Sequence, residues 1–442
     1  MWKRITKPPV QAKPLWATLG FWQVCMILAP LMVVGHGDAQ TSKPTRRITL
    51  EEAIQLALAH NHALKAARTQ IQESEAEEIT ATLRPNPVLS ADAAFLPIFS
   101  PSNFNLPVLQ NPLPEEFDAG ISYTIETGHK RQARIAAARD ATTVTRSQVS
   151  DTARGLAFSV AQQFVSTLLA KSDLDFAKKD LESFQQTVKV SESQYQAGDI
   201  SEGDLLKIRV QLVQFQTDVS VAEVALAQGL VTLRQLLGYD AVPGDYDLAG
   251  ELAYAPLHGN KEDLQSVALK QRPDLLAAQL AVTAAQSQFQ LAKADAKRDV
   301  TPSFQYSHVT GVNAATFGVN VELPFFNRNQ GEVARTHYAI TQSEESRTAT
   351  QEAVLADVGN AYEAVRGNQK IVDLYLAGDL KHAQDSRDIS EFAYQHGAAS
   401  LLDFLDAERS YRSTQLAYRQ ALASHMLSLE QLRLAVGTRS LP

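Results

Sequence analysis

Asp403 and Asp406 are the carboxylates best spaced to act together. Three residues apart, they share one face of a helix, and Gly397 and Ser400 just before them mark a turn. Carboxylates held close attract cations and resist simultaneous ionisation, whereas on an ordinary exposed helix face they only meet water. A related pattern, Gly198, Ser201 and Asp204, stands 199 residues earlier, with Lys207 where the later copy has Asp406.

Catalysis finds little support. The single cysteine is Cys25, inside an apolar N-terminal stretch, so the remaining chain has no thiol for a disulfide, a metal site or a nucleophile. No P-loop, dinucleotide-binding glycine run or His-Glu-x-x-His is present. The histidines are scattered; His60 and His62, two apart, would point to different faces of a helix rather than share a metal. The residues read as those of a non-enzyme with no cofactor and no metal site.

The chain has 442 residues, 45% hydrophobic and 20% charged, enough to bury a core, and a net charge of −8. Residues 1–39 hold four basic residues, Lys3, Arg4, Lys7 and Lys13, and one acid, Asp38, so the rest carries −11. No basic stripe suited to nucleic acid remains. That first segment, with its basic start, apolar Leu15–Gly35 and Gly37-Asp38-Ala39, reads as an export signal. An uncleaved anchor is the alternative. Acylation at Cys25 fits poorly, because Met26–Val34 is still apolar.

The elements that position the two turns are long helices. No proline falls between Pro114 and Pro243, nor between Pro324 and Pro442. Both windows are rich in helix formers. Leu205, Ile208, Leu212, Phe215, Val219, Ala222 and Leu226 alternate steps of three and four, a coiled-coil seam. A helix from His129 to Ala197 would run on the order of 100 Å. Tyr195–Gly238 aligns without a gap with Tyr394–Gly437, so the chain is an internal duplication joined by a Gly/Pro/Asp-rich connection at 239–260.

Four segments alternate with period two: 88–95, 120–126, 303–308 and 317–323. Each has one apolar and one polar face, as in outer-membrane barrels, or as in soluble hairpins packed on helices. Four strands cannot close a barrel, since the smallest have about eight. Strands that span a membrane therefore require several chains. The proline-rich stretch Pro97–Phe117 is expected to cross the cell surface, and its counterpart Thr310–Thr316 to be shorter. Pro85 and Pro87 should stop the first helix, and Gly128 and Gly331 should ease passage from strand to helix. Lys130, Arg131 and Arg134, in the first turn or two of the next helix, oppose its dipole and are expected to be solvated.

The opening Ile48-Thr-Leu-Glu-Glu-Ala-Ile-Gln-Leu-Ala-Leu, the Arg84-Pro-Asn-Pro break and both Tyr-Gln-x-Gly-x-x-Ser-x-x-Asp turns resemble TolC-type outer-membrane efflux proteins. Ile125-Glu-Thr-Gly-His-Lys-Arg and Leu323-Pro-Phe-Phe-Asn-Arg-Asn-Gln-Gly-Glu-Val-Ala-Arg look most like the cobalt–zinc–cadmium branch, which usually has a second Gly where His129 stands. The resemblance implies a mainly α fold with a small membrane β part. Duplicated helical hairpins would form a trimeric α-barrel, and four strands per chain would join one twelve-stranded outer-membrane β-barrel. It implies a signal at 1–39, efflux repeats at 40–238 and 263–437, a connection at 239–262 and a tail at 438–442.

The implied function is a passive homotrimeric conduit, exporting heavy-metal cations or small toxic compounds from periplasm to exterior. Its partners would be a periplasmic adaptor, an inner-membrane resistance-nodulation-division pump and outer-membrane lipid, with no nucleic acid. Asp403, Asp406 and Tyr394 would fall at the periplasmic aperture. Gly198, Ser201, Asp204, Gly397 and Ser400 would fall at the adaptor-docking tip. A periplasmic coiled-coil adaptor or an envelope structural protein is the alternative, though an adaptor would ordinarily carry one hairpin flanked by β-rich domains.

Overall fold

The computed structural model describes residues 46–94, 116–242, 244–309 and 311–441. The expected signal at 1–39 and most of the expected surface loop lie outside them. Each half opens with two helices rather than one: α1 (Leu50–His60) and α2 (His62–Thr82), then later α5 (Lys261–Gln271) and α6 (Pro273–Asp295). Asn61 breaks the first pair, its Oδ1 accepting from the Leu64 amide at 3.1 Å. In the second pair Pro273 opens α6, a position where its missing N–H costs nothing.

The long hairpins follow. The 68-residue α3 (Lys130–Ala197) is unbroken and turns into α4 (Glu202–Leu237). Its partner in the second half is interrupted. The helix α7 (Gln330–Leu374) passes through a π-bulge at Tyr375–Asp379 before α8 (Leu380–Gln395) and α9 (Leu401–Val436). Gly378 takes φ 145° inside the bulge, a conformation closed to most L-residues. The proline-free window concealed this break, because the residue responsible is a glycine.

Four strands make one antiparallel sheet in the order β2 (Val88–Ala94), β3 (Glu116–Ser122), β5 (Val300–Val309), β6 (Val312–Val321). Among the described residues its two outer strands, β2 and β6, each have one edge unpaired. Several expected boundaries move. β3 begins at Glu116 rather than Gly120, so Phe117 belongs to the sheet and not to the loop. The second hairpin is tighter than expected, with Val309 paired to Val312. The expected fourth strand ends at Val321, not Leu323. Register aligns Leu89, Ile121, Phe304 and Phe317 in one apolar row. The neighbouring row on the polar face is Ser90, Gly120, Gln305 and Thr316.

A parallel pair that the sequence did not announce, β1 (Arg46–Ile48) with β4 (Tyr246–Leu248), ties the start of the first half to the connection between halves. Around it packs a core of Ile48, Ile54, Val160, Phe164, Leu168, Leu233 and Leu237. A second core joins Leu264, Leu275, Val354, Val358, Val365 and Leu432 in the other half. The two halves thus repeat one plan around separate cores.

The strand-to-helix junctions depart from the sequence reading. Gly128 and His129 both adopt left-handed backbone, φ 64° and 60°, and in the second half the left-handed residue is Asn329, φ 62°. Gly331 lies inside α7. The basic residues of α3 are not simply solvated. Arg131 Nε donates to the Thr82 carbonyl at 2.6 Å, and Arg134 donates to the carbonyls of Ala81 and Leu83 and to Glu126 at 2.7 Å. Lys130 pairs with Asp299 at 2.8 Å. Arg131 and Arg134 satisfy carbonyls left open where Arg84-Pro85 ends α2.

Candidate functional site: the hairpin tip

Both turns are built alike. Gly198 and Gly397 close their helices in left-handed backbone, at φ 86° and 71°, which only glycine accepts cheaply. Ser201 and Ser400 then cap the outgoing helices, accepting from the amides of Asp204 and Asp403 at 3.1 and 3.2 Å. The second turn is a full capping box, because Asp403 also accepts from the Ser400 amide. Asp204 instead takes Lys207 Nζ at 3.1 Å. The Ser201 hydroxyl and then Lys207 hold its carboxyl below the usual range.

Asp403 and Asp406 are both exposed on the first turns of α9, and Asp406 meets Arg409 at 3.1 Å. The two acids stand three residues apart on one helix, each engaged with its own neighbour, Ser400 or Arg409. Tyr394 is buried in the tip core behind them: the residue is only 5% exposed and its ring stacks on Phe404 with centroids 5.5 Å apart. Its hydroxyl sits 3.2 Å from Ser191 Oγ on α3, so it locks the two hairpins together. Gln194 adds a bond across the same seam, donating to the Gln395 carbonyl at 2.9 Å. The tip core is Phe184, Val188, Ile208, Phe215, Leu401 and Phe404. Leu205, Ile208 and Phe215 of the expected seam are buried.

Farther from the tip lies a charged cluster that sequence reading missed. Asp180 on α3 faces Arg412 on α9 at 2.7 Å, and Arg412 also pairs with Asp218 on α4. Arg387 on α8 reaches Glu408 at 3.3 Å and Glu391 at 3.1 Å. Asp180 and Glu408 are almost wholly buried, each facing an arginine of the cluster. Burial first, and the neighbouring Asp180 second, push the Glu408 carboxyl up to about 8. The one signal available in the sequence was an acid and a base, Glu408 and Arg412, one helical turn apart on α9.

The histidines do not gather. His60 ends α1 and His62 begins α2, while buried His425 holds the Ala255 carbonyl at 2.9 Å through Nε2. Among the described residues no group of three or more His, Cys, Asp or Glu is arranged to hold a metal. No helix among them is long and apolar enough to cross a membrane.

The long duplicated hairpins with a small amphipathic sheet share the fold of solved outer-membrane channels. The family model for outer membrane efflux proteins matches residues 53–239 and 264–438, and the chain belongs to that family. It is 25% identical to the cobalt-zinc-cadmium resistance protein CzcC of Cupriavidus metallidurans, over 88% of this chain and 92% of that protein. It is 26% identical to the pyoverdine export outer membrane protein OpmQ of Pseudomonas putida, over 88% and 85%. A crystal structure of CusC superposes with a TM-score of 0.71 at 21% identity, covering 88% of this chain and 92% of that one.

The protein is therefore an outer-membrane efflux channel that extends into the periplasm, a conduit and not an enzyme. Channels of this family are homotrimers working with a periplasmic adaptor and an inner-membrane resistance-nodulation-division pump. The coiled-coil adaptor and structural-protein alternatives fall with this assignment.

Proposed function

We propose that the conduit serves a cation efflux system, with Asp403 and Asp406 as its periplasmic aperture. The observation that carries this reading is the pair itself: two exposed acids on one helix face at the tip, one fixed by a capping box. Three chains bring six carboxylates around one axis, and rings of acids favour cations. A second acidic layer supports the same selectivity. On the polar face of the sheet, Asp92 stands directly opposite Asp118. The two motifs shared with the cobalt–zinc–cadmium branch, and the name of the Cupriavidus relative, support a metal cargo, although the equally similar OpmQ is named for pyoverdine export.

Gly198, Ser201, Asp204, Gly397 and Ser400 form the surface that meets the adaptor. Tyr394 supports the aperture from behind, through the Ser191 contact. Residues 1–39 act as the export signal. Repeats at 40–238 and 263–437, joined at 239–262, are the two units of the duplication, and 438–442 is a tail. The apolar stripe that the chain leaves exposed on α4, Leu206, Val210, Val213, Val221, Val224 and Val231, packs on the next copy of the chain.

The test is conductance of the purified protein in a planar bilayer. Cation selectivity and block by multivalent cations from the periplasmic side are expected, both weakened by Asp403→Ala with Asp406→Ala in an intact trimer. Unchanged selectivity and block in an assembled double variant would remove these residues from the pore.

A further inference from the structure

Where β6 leaves the sheet, Leu323-Pro324-Phe325-Phe326 presents two aromatic rings with almost no cover from the chain: Phe325 is 71% and Phe326 94% exposed. Phenylalanine is among the residues most often buried, and a free loop would fold such rings onto its own surface. This loop is held in place by polar bonds. Arg298 Nη2 donates to the Asn327 carbonyl at 3.1 Å, and Gln330 Nε2 to the Phe326 carbonyl at 3.2 Å. Asn329 Nδ2 donates to the Ala292 carbonyl at 2.9 Å, fixing the loop to α6. The rings are thus pointed outward by a preformed scaffold.

We propose that Phe325 and Phe326 are a membrane anchor, inserted at the boundary between acyl chains and headgroups in the periplasmic leaflet of the outer membrane. The placement follows from the strand. The ten residues of β6 span about 33 Å, or about 25 Å once tilted by roughly 40°, the height of a barrel's apolar band. Val321 therefore ends the band, and the two rings follow within a few residues, at the level where aromatic side chains gather. The apolar surface is continuous: Phe317, Val319, Val321 and Leu323 are all exposed and share the alternate positions leading to the loop. Arg328, exposed two residues beyond the rings, stands where lipid phosphates would lie.

The anchor belongs to one repeat only. At the matching junction of the first repeat, Glu126 is tied to Arg134, and the Thr127 amide donates to Asp299 at 3.0 Å; no aromatic residue stands there. Each trimer thus carries three wedges, one per chain. The inference is independent of the cargo and of the aperture.

The sequence supplies a clean probe. All three tryptophans, Trp2, Trp16 and Trp22, precede residue 40, so Phe326→Trp or Phe325→Trp gives the chain beyond that point a single indole. Each variant, purified from outer membranes as the full trimer, is reconstituted into phosphatidylethanolamine–phosphatidylglycerol vesicles with or without acyl chains brominated near the headgroup. At least a twofold loss of emission with brominated lipid, and little quenching by aqueous acrylamide, is expected for both. Strong acrylamide quenching without a bromine effect would place the rings in water. Indifference to both quenchers would place them against another copy of the chain. Either result overturns the anchor. If one variant fails to assemble, the other decides.

Discussion

Asp180 on α3 and Arg412 on α9 meet at 2.7 Å inside the protein, joining the first hairpin to the second. The guanidinium also lies 4.2 Å from the centre of the Phe215 ring on α4. One residue therefore contacts both helices of the other hairpin. Removing one partner of a buried pair leaves the other charged and uncompensated, at a cost of about 3–5 kcal/mol. Arg412→Ala should destabilise each chain by that order, read as a lower midpoint in denaturant unfolding of the purified trimer. Arg412→Ala with Asp180→Asn should recover part of the loss.

Glu408 gives the same cluster a pH dependence. Its carboxyl is raised from 4.5 to about 8 in the folded protein, so between those values the native state holds a proton that the unfolded chain releases. Stability from this group is full below about 4.5 and is lost as pH rises through about 8. Asp180, also raised by burial, acts in the same direction. The melting temperature should fall over that window, and Glu408→Gln, which imitates the protonated acid, should flatten the fall. A profile in Glu408→Gln as steep as that of the parent would discount Glu408 as the cause.

His129 occupies left-handed backbone, φ 60°, where a side chain costs roughly 1–2 kcal/mol that glycine avoids. His129→Gly should therefore raise stability by about 1 kcal/mol, while His129→Val should lower it. Thermal unfolding of the three proteins side by side decides. A loss of stability in the glycine variant would show that the imidazole makes a compensating contact.

Val319 and Asn320 are adjacent on β6 and fall on opposite faces of the sheet. Arginine at a lipid-facing position near mid-membrane costs about 2–4 kcal/mol per chain, whereas a lumen-facing one meets water. Val319→Arg should reduce trimer yield in the outer membrane, and Asn320→Arg should not. Equal yields would reverse the assignment of faces.

Much of this arrangement was legible in the residues. Leu205, Ile208 and Phe215 announced the coiled-coil seam, and the matched turns at Gly198 and Gly397 announced the duplication. Alternation from Val88 onward agrees with the rows in which β2 pairs, Leu89 with Ile121 and Ser90 with Gly120. What escaped depended on partners far away in sequence. Arg131 and Arg134 read as solvated because their acceptors, the carbonyls of Ala81, Thr82 and Leu83, lie about fifty residues upstream. The start of β3 escaped because it is fixed by pairing with β2 and β5, not by local alternation. The bulge at Gly378 and the Asp180–Glu408 cluster escaped for the same reason. A glycine in a helix and an acid among acids carry no local mark of burial.

Among the described residues β2 and β6 each keep an open edge, and unpaired backbone does not survive in lipid. Three chains closing one barrel pair every such edge. Amide hydrogen exchange on the protein purified from outer membranes tests this without knowledge of the register between chains. Peptides covering Val88–Ala94 and Val312–Val321 should exchange as slowly as those covering β3 and β5. Fast exchange in the two outer strands, with β3 and β5 protected, would mean that the sheet stays open and that the chain forms no barrel.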